Sequence, residues 1–452
     1  MLKNYYEIRS WLESFIPYTY SKENLGFERI EYLLKLLGNP EKKFKSIHVG
    51  GTSGKGSTAF YIARLLQFSG YKTGLHLSPH LIYLGERMQI NGKEISVSKF
   101  CALIRGIKPF VEQMEGSQVG KPSYFEILVA LSFKYFADSK VDLAVVEVGL
   151  GGRFDATNVL QPEISVITNV GLDHTEILGN SVEKIAEEKA GIIKKNVPIV
   201  TGAGSKALKI IEKAAKAKKS PLIKINTRLG VRSLKSDMNL YKSLSIDIVR
   251  HTHNLFAFSN KLLAITAVSE LKIKLSRQIV KKAFSKGLEG RLEEVDRGVI
   301  LDGAHNVDKV RFLIHFVRDT FLIRHSREGG NLDPRLREDD MSGVVLVLAF
   351  KKGKNWKKMV DLLVRNLPVR EIVATEFRAV TDTGRFATLK AEEIENYVKS
   401  VHGIQAIVCR NSQESVFKAL NVKRLNSNQL ILITGSLYLI GEARTLWYLP
   451  PF

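Results

Sequence analysis

The sequence predicts an α/β protein with two doubly wound domains, each a mostly parallel sheet with helices on both faces. Short β-branched runs alternate with segments of helical spacing from Phe44 onward, and this alternation starts again after Arg291. The runs are continuously apolar, which is typical of parallel strands buried on both faces. At 452 residues, the chain is also too long for one ordinary core.

The individual elements follow from these two periods. Apolar runs predict strands at residues 46–49, 141–148 and 164–169, then at 299–301, 344–350, 371–375, 406–409 and 430–434. Apolar residues at helical spacing predict helices at 56–68 and 124–136. A short polar link at 286–290 separates the predicted domains, residues 1–288 and 289–452. Residues 226–258 fit neither period, and a small β excursion is predicted there.

Bulk composition indicates a globular chain, 44% hydrophobic. No apolar run approaches the roughly 20 residues of a membrane helix, and the amino terminus lacks a signal-peptide core. Cys101 and Cys409 each lie in an apolar segment, so buried thiols in a reducing compartment are favoured over a disulfide or a metal site. A cytoplasmic location without a membrane partner is expected.

The net charge of +22 allows two interpretations. One is a nucleic-acid surface, and the other is a lysine-rich solvated surface. The basic residues are spread along the chain and form no stripe interleaved with aromatic residues, so the second interpretation is favoured and no nucleic-acid partner is expected. A positive field also attracts small anions.

The segment VGGTSGKGST, residues 49–58, lies between a predicted strand and a predicted helix. Such a position lets backbone N–H groups and the helix amino terminus face phosphate oxygens. The candidate ATP-binding residues here are Gly51, Thr52, Gly54, Lys55, Gly56, Ser57 and Thr58. Lys55 would reach the β- and γ-phosphates and the Ser57 hydroxyl would face Mg²⁺, although Gly56 replaces the Ser or Thr that usually follows the lysine. A generic glycine turn is the alternative, and the flanking strand and helix favour the phosphate loop.

Three further residues stand out by position. Glu147 ends an apolar run, so it is either a surface residue or a ligand at the carboxyl edge of the sheet, where α/β proteins bind substrates. Asp302 and His305 follow the predicted strand 299–301 at an equivalent edge.

Lys189 lies on the apolar face of a helix predicted over residues 181–194. The residues that share this face at helical spacing are Val182, Ile185, Ala186, Lys189 and Ile193. Lysines on such faces often extend to water. If Lys189 cannot, burial lowers its pKa and leaves a nucleophilic neutral amine that can take up CO₂.

Ten sequence blocks, in order along the chain, resemble the folylpolyglutamate synthase/dihydrofolate synthase family of the Mur-ligase superfamily. They are LGFER (25–29), the phosphate loop (49–58), SPHL (78–81) with ER (86–87), SYFE (123–126), EVGLGGRFDATN (147–158), GLDHT (171–175), EKAG (188–191), GR (290–291), LDGAHN (301–306) and GSLYL (435–439). The glycine–arginine run and DGAHN are the most specific. The resemblance implies a P-loop domain of the Mur-ligase central-domain type, followed by a Rossmann-like Mur-ligase domain.

The resemblance also implies roles for individual residues. Magnesium is implied at Ser57, Ser78, Glu147 and His174, and a carbamylated lysine (N6-carboxylysine) at Lys189. ATP is implied at Asn260, Arg291 and Asp302 besides the phosphate loop, with His305 near the reacting phosphates. Folate or pteroate is implied at Asn24, Leu25, Ser123, Tyr124, Phe125, Phe154, Asp155 and Ala156. Taken alone, His174 would more often be a loop histidine satisfied by hydrogen bonds.

The reaction that the resemblance implies is ATP-dependent ligation of L-glutamate to folate, and also to dihydropteroate, by a monomer. ATP phosphorylates the carboxylate, and the glutamate amine then attacks the acyl phosphate. A cell-wall Mur ligase is one alternative, but the 49 residues before Gly50 are expected to be too few for its nucleotide-sugar domain. A basic nucleic-acid-binding protein is another, but it would not explain Glu147, Lys189 and DGAHN together.

Residues 324–340, RHSREGGNLDPRLREDD, interrupt the second domain between a predicted helix and a predicted strand. Nine of these seventeen residues are Arg, Asp or Glu. A structureless loop of this length is unusual in a compact domain. An anion-binding loop is one interpretation, and a solvated loop insertion is favoured.

Replacing residues 324–340 by a short Gly-Ser link is therefore expected to preserve folding and activity. The segment has almost no apolar side chains to bury. The free-energy cost of closing a loop rises by only about 0.6 kcal/mol for each doubling of loop length. Thermal unfolding and ATP-dependent ligation of the deletion variant test this. A folded variant without ligation would show that the loop is functional.

Overall fold

The computed structural model describes residues 4–16, 26–225, 255–322, 343–378, 380–381, 384–385, 387–425 and 429–452. The loop insertion at 324–340 and the candidate folate residues Asn24 and Leu25 lie outside these ranges, as does most of the predicted β excursion. The chain divides into two compact units. Unit 1 comprises Met1–Lys286, Thr381–Gly384 and Pro451–Phe452, and unit 2 comprises Gly287–Val380 and Arg385–Pro450. The boundary predicted after residue 288 is two residues from this division.

Unit 1 combines helices with the strands of one sheet. The helices are α1 Tyr5–Glu13, α2 Glu28–Leu36, α3 Lys55–Phe68, α4 Val97–Glu115, α5 Tyr124–Asp138, α6 Thr175–Leu178, α7 Val182–Ala190, α8 Ser205–Ala217, α9 Leu255–Glu270 and α10 Arg277–Ala283, with 3₁₀ turns at Pro40–Lys42, Leu84–Arg87 and Ala156–Val159. The strands are β1 Lys45–Gly50, β2 Thr73–His76, β3 Met88–Ile90, β4 Lys93–Glu94, β5 Leu143–Glu147, β6 Ile164–Ile167, β7 Ile199–Thr201 and β8 Leu222–Lys224.

Eight strands form one sheet in unit 1, in the order β4-β3-β2-β5-β1-β6-β7-β8. The neighbouring pairs from β2 through β5, β1, β6 and β7 to β8 are parallel, whereas β3 pairs antiparallel with both β2 and β4 at one edge. Strand β1 lies between β5 and β6, with Val49 opposite Glu147 and Gly50 opposite Ile167. The carboxyl ends of these three strands therefore meet at the same edge of the sheet.

Unit 2 repeats the α/β arrangement on a smaller scale. Its helices are α11 Val307–Val317, α12 Trp356–Asn366, α13 Ala391–His402, α14 Ser412–Leu425 and α15 Leu437–Arg444, with a π turn at Arg318–Leu322. Its strands are β9 Glu293–Asp296, β10 Val299–Asp302, β11 Val344–Leu348, β12 Val369–Ala374, β15 Ile407–Val408 and β16 Leu430–Thr434. They form a sheet in the order β15-β12-β11-β16-β10-β9, in which only β9 is antiparallel. Strands β13 Val380–Thr381 and β14 Gly384–Arg385 form a separate pair.

The predicted fold class of two doubly wound α/β domains is confirmed, because each predicted strand has an observed counterpart. Strands β5 and β11 are buried at every position, as the continuous apolar runs predicted. Cys101 and Cys409 are free and buried, also as predicted. None of the described helices combines the length and the apolar character needed to cross a membrane.

Two elements differ from the predictions. The helix predicted over 181–194 ends at Ala190, with Gly191 as its C-cap residue, because the following Ile192 and Ile193 N–H groups donate to carbonyls three residues back and not four. Ile193 is nevertheless buried, as predicted, in a cluster that includes Ile192 and Ile199. The predicted β excursion is wrong for residues 255–258, which belong to α9.

Candidate active site

The loop between β1 and α3 lies at the carboxyl edge of the unit 1 sheet and is held by the end of β6. The Thr52 N–H donates to the Asn169 carbonyl over 3.0 Å, and the Ser53 N–H donates to Asn169 Oδ1 over 2.8 Å. The Thr168 hydroxyl donates to the Ser53 carbonyl over 2.7 Å. Sequence reasoning assigned no role to Thr168 or Asn169. Two polar residues at the end of an apolar strand nevertheless indicate a site at the carboxyl edge of the sheet.

Two glycines allow neighbouring groups to approach this loop closely. Gly51 has φ +141°, and a Cβ there would lie 1.9 Å from Thr168 Oγ1. Gly54 has φ +79° and precedes α3, and a Cβ there would lie 2.3 Å from Asn260 Oδ1. The Thr58 hydroxyl donates to the same Asn260 oxygen over 3.3 Å. Asn260 of α9 therefore supports the loop from about two hundred residues away.

The first turn of α3 carries the remaining loop residues. Lys55, Gly56 and Ser57 are half-buried, and Thr58 is fully buried. Gly54, at the N-cap position, has no side chain to accept the first backbone N–H groups of this helix. These groups and the helix dipole form an environment that suits an anion such as a phosphate.

Lys189 lies directly behind the loop. Its side chain is buried, with 4% exposed, and its Nζ donates to the Gly51 carbonyl over 2.9 Å. The alternative in which this lysine extends to water is therefore wrong. The pKa of Lys189 is lowered from an ordinary 10.5 to about 7, mainly by burial and also by the nearby Lys55 ammonium, while Asp173, Asp155 and Glu188 oppose the shift.

The predicted magnesium ligands belong to unit 1 and follow neighbouring strands. Glu147 is the last residue of β5, is buried, and accepts a hydrogen bond from the Ser78 N–H over 3.0 Å, so the surface alternative for Glu147 is wrong. His174 precedes α6 and has nitrogens 3.9 Å from Asp173 and 3.8 Å from Glu176. These are the contacts of a loop histidine, and its role as a metal ligand stays a prediction. Within the described ranges, no three His, Cys, Asp or Glu side chains form a group that could hold a metal.

Several candidate folate residues stabilise the fold around this edge. Ser123 caps α5 by accepting the Glu126 N–H over 3.2 Å, and the Glu126 carboxylate accepts the Ser123 N–H over 2.6 Å. Tyr124 is buried beneath the Arg87 guanidinium, 5.9 Å from its ring centre. The sequence block SYFE contained the signal of this capping box, which sequence reasoning did not use.

The turn at Phe154–Asp155–Ala156 combines an exposed ring with a buried carboxylate. Asp155 accepts the Leu150 N–H over 2.8 Å and the Thr157 N–H over 3.0 Å. Burial raises the pKa of Asp155, and these hydrogen bonds oppose the rise. Phe154 is 43% exposed and lies 6.5 Å from the Phe27 ring, ring centre to ring centre. Phe27 is a candidate substrate contact to which sequence reasoning gave no role.

A second cluster lies in unit 2, at the end of β10. The buried Asp302 carboxylate accepts the Ala304 N–H over 2.9 Å and the Leu292 N–H over 3.0 Å. Burial raises the pKa of Asp302, and the Arg291 guanidinium opposes this rise. His305 Nδ1 lies 2.9 Å from the Gly303 carbonyl. Unit 2 thus brings the predicted residues Arg291, Asp302 and His305 together around one turn.

Comparison with known proteins identifies the family. The dihydrofolate synthase/folylpolyglutamate synthase of Bacillus subtilis (strain 168) is 34% identical over 469 aligned positions, which cover 98% of this chain and 99% of that protein. This chain belongs to the dihydrofolate synthase/folylpolyglutamate synthase family. Two domain families also match, the Mur ligase middle domain over residues 49–268 and the dihydrofolate synthetase C-terminal domain over residues 290–446.

Solved structures in the same family have the same fold. The Mycobacterium tuberculosis folylpolyglutamate synthase complexed with ADP and AMPPCP has a TM-score of 0.81 and 27% identity, covering 99% of both chains. A complex of a folylpolyglutamate synthase (FPGS) with AMPPCP and folate has a TM-score of 0.74 and 26% identity, covering 98% of this chain and 99% of the FPGS chain. The predicted family and the predicted class, an ATP-dependent ligase, are confirmed.

Proposed function

We propose that this chain joins L-glutamate to the terminal carboxylate of a folate, and to dihydropteroate, at the expense of ATP. The observation that carries this proposal is the phosphate loop between the ends of β5 and β6, with Glu147 beside it and Lys189 buried behind it. ATP binding is supported by the FPGS relatives, whose structures contain ADP or AMPPCP. Folate binding is supported by the FPGS structure that contains AMPPCP and folate.

The reaction is proposed to proceed in two steps. The substrate carboxylate attacks the γ-phosphorus of ATP, forming an acyl phosphate and releasing ADP. The glutamate amine then attacks the acyl carbon, loses a proton and expels phosphate. Positioning and neutralisation of charge supply most of the acceleration in phosphoryl transfer. Lys55 and the N–H groups of the first turn of α3 are the groups proposed for this work.

A magnesium ion fits the donor chemistry of this edge. Mg²⁺ prefers oxygen ligands, and Glu147 offers a buried carboxylate while Ser57 and Ser78 offer half-buried hydroxyls. His174 completes the proposed set. When bound, the ion would neutralise charge that develops on the transferred phosphoryl group.

Lys189 is proposed to carry a carbamate. A pKa of about 7 leaves roughly half of the amine uncharged at neutral pH, whereas an ordinary lysine is almost wholly protonated. The neutral nitrogen forms a bond to the carbon of CO₂ and releases one proton to solvent. The resulting anion lies beside the phosphate loop, where it offsets the positive charge of Lys55.

The pterin ring is proposed to bind near Phe154 and Phe27. Aromatic faces stabilise a flat ring by stacking, and Phe154 presents an exposed face. Phe125 and Ala156 are proposed to line the same region, with Ser123, Tyr124 and Asp155 supporting its backbone. From the sequence alone, Asn24 and Leu25 are also proposed to bind the substrate. A monomeric state, a cytoplasmic location and the absence of a nucleic-acid partner belong to the same proposal.

Lys189→Ala is expected to reduce turnover by roughly a hundredfold, the upper end of what loss of a group supporting a metal centre costs. Short carboxylic acids added to this variant are expected to restore part of the activity, because they can replace the missing anion. Steady-state ligation assays test this. Lys184→Ala is the matched control, since Lys184 is exposed on the same helix. Full activity of Lys189→Ala would exclude the proposed role.

Phosphate release from ATP is expected to require both L-glutamate and a pteridine substrate, and to occur with tetrahydrofolate and with dihydropteroate. Dihydropteroate is expected to be the weaker substrate, because the Asn24 amide offers the pterin one acceptor where a carboxylate would offer two. The loss of a charged acceptor costs about 1.5–3 kcal/mol, or roughly tenfold to a hundredfold in use of dihydropteroate. Asn24→Asp is expected to restore the use of dihydropteroate. Turnover with tetrahydrofolate alone, in both proteins, would refute the dual activity.

A further inference from the structure

Both ring nitrogens of His305 have polar partners in unit 2. Nδ1 lies 2.9 Å from the carbonyl oxygen of Gly303. Nε2 lies 2.8 Å from Nζ of Lys309, one helical turn further along on α11. Lys309 is not one of the predicted site residues, and its side chain is half-buried beside the His305 ring.

These two partners determine where the imidazole proton lies. A carbonyl oxygen can only accept a hydrogen bond, so Nδ1 must carry a hydrogen. A lysine ammonium can only donate, so Nε2 must present its lone pair. The pair of contacts is therefore compatible with one state of His305, the neutral ring protonated at Nδ1.

The charges around this turn favour the same neutral state. The Arg291 guanidinium donates to the Gly303 carbonyl over 3.2 Å, the same oxygen that accepts from His305. Lys309 contributes a second positive charge. The Asp302 carboxylate is the negative group of this turn, and it accepts the backbone N–H groups of Leu292 and Ala304. An imidazolium at His305 would be repelled by two neighbouring cations.

We propose that Lys309 is a positioning residue for the ligation reaction, which holds His305 as a neutral imidazole protonated at Nδ1 with its Nε2 lone pair exposed to a cationic donor. This rests on the proposed ligase function, for which the family resemblance implies that His305 lies near the reacting phosphates. In this state His305 accepts a hydrogen bond or a proton at Nε2 and cannot donate one there. Lys309 thereby fixes the orientation of the ring, and the neutral ring adds no positive charge of its own to this turn.

The direct test is the tautomer of His305 in the intact protein. Long-range ¹H–¹⁵N spectra of protein labelled with ¹⁵N-histidine report which ring nitrogen carries hydrogen, and His305→Gln assigns the signal among the 10 histidines. We expect a neutral ring with hydrogen on Nδ1 in the wild-type protein. In Lys309→Met the Nε2 lone pair loses its donor and an opposing charge, so we expect the imidazolium form to appear as the pH is lowered. Lys309→Arg keeps a cationic donor and is expected to resemble the wild type.

Kinetics give the second readout. The turnover number of Lys309→Met is expected to fall relative to wild type as the pH is lowered through the ordinary histidine range, by roughly tenfold per pH unit below the midpoint, as expected for one protonation. Lys309→Arg is expected to restore the wild-type profile. Lys399→Met is the matched control for loss of one charge, since Lys399 is exposed on α13.

A wild-type ring protonated at Nε2, or a spectrum unchanged in Lys309→Met, would overturn the proposal. A changed spectrum with wild-type turnover at every pH would also overturn the positioning role. Failure of the proposed function is distinct, because the wild-type protein would then show no glutamate-dependent phosphate release. In that case the tautomer would still decide whether Lys309 controls His305.

Discussion

The candidate active site of unit 1 depends on the parallel pairing of β1 with β5 on one side and β6 on the other. This register places Val49, Glu147 and Val166 at the same level of the sheet. The residues that follow each strand then meet at one edge. The phosphate loop, a buried carboxylate and the polar pair Thr168 and Asn169 are brought together in this way.

The polar groups of the loop are largely satisfied by this arrangement. Asn169 accepts from two successive N–H groups, and the Thr168 hydroxyl donates to the loop carbonyl of Ser53. The Gly51 carbonyl accepts from Lys189. A buried amine is costly unless it has a partner, and this hydrogen bond supplies one. Burial, together with the Lys55 ammonium, lowers the pKa of Lys189 to about 7 and so favours the uncharged amine.

The sequence was sufficient for features that depend on short-range periodicity. Continuous apolar runs located eight strands but missed the others of the two sheets, which are β2, β3, β4, β7, β8 and β9. Helical spacing placed Lys189 on the apolar face of its helix. The end of α7 at Gly191 was missed, although a glycine is a common signal at the end of a helix. The support of Gly54 by Asn260 is a long-range contact that no local pattern predicts. Lys309 is only four residues after His305, but His305 precedes α11, so helical spacing did not indicate their contact.

The central claim is that Lys189, buried against Gly51, is a neutral amine that takes up CO₂. The most direct measurement is a ¹³C spectrum of the protein equilibrated with ¹³C-labelled bicarbonate near neutral pH. A carbamate resonance is predicted for the wild-type protein and for Lys184→Ala, and none for Lys189→Ala. A wild-type protein without this resonance, or a resonance that persists in Lys189→Ala, would contradict the account.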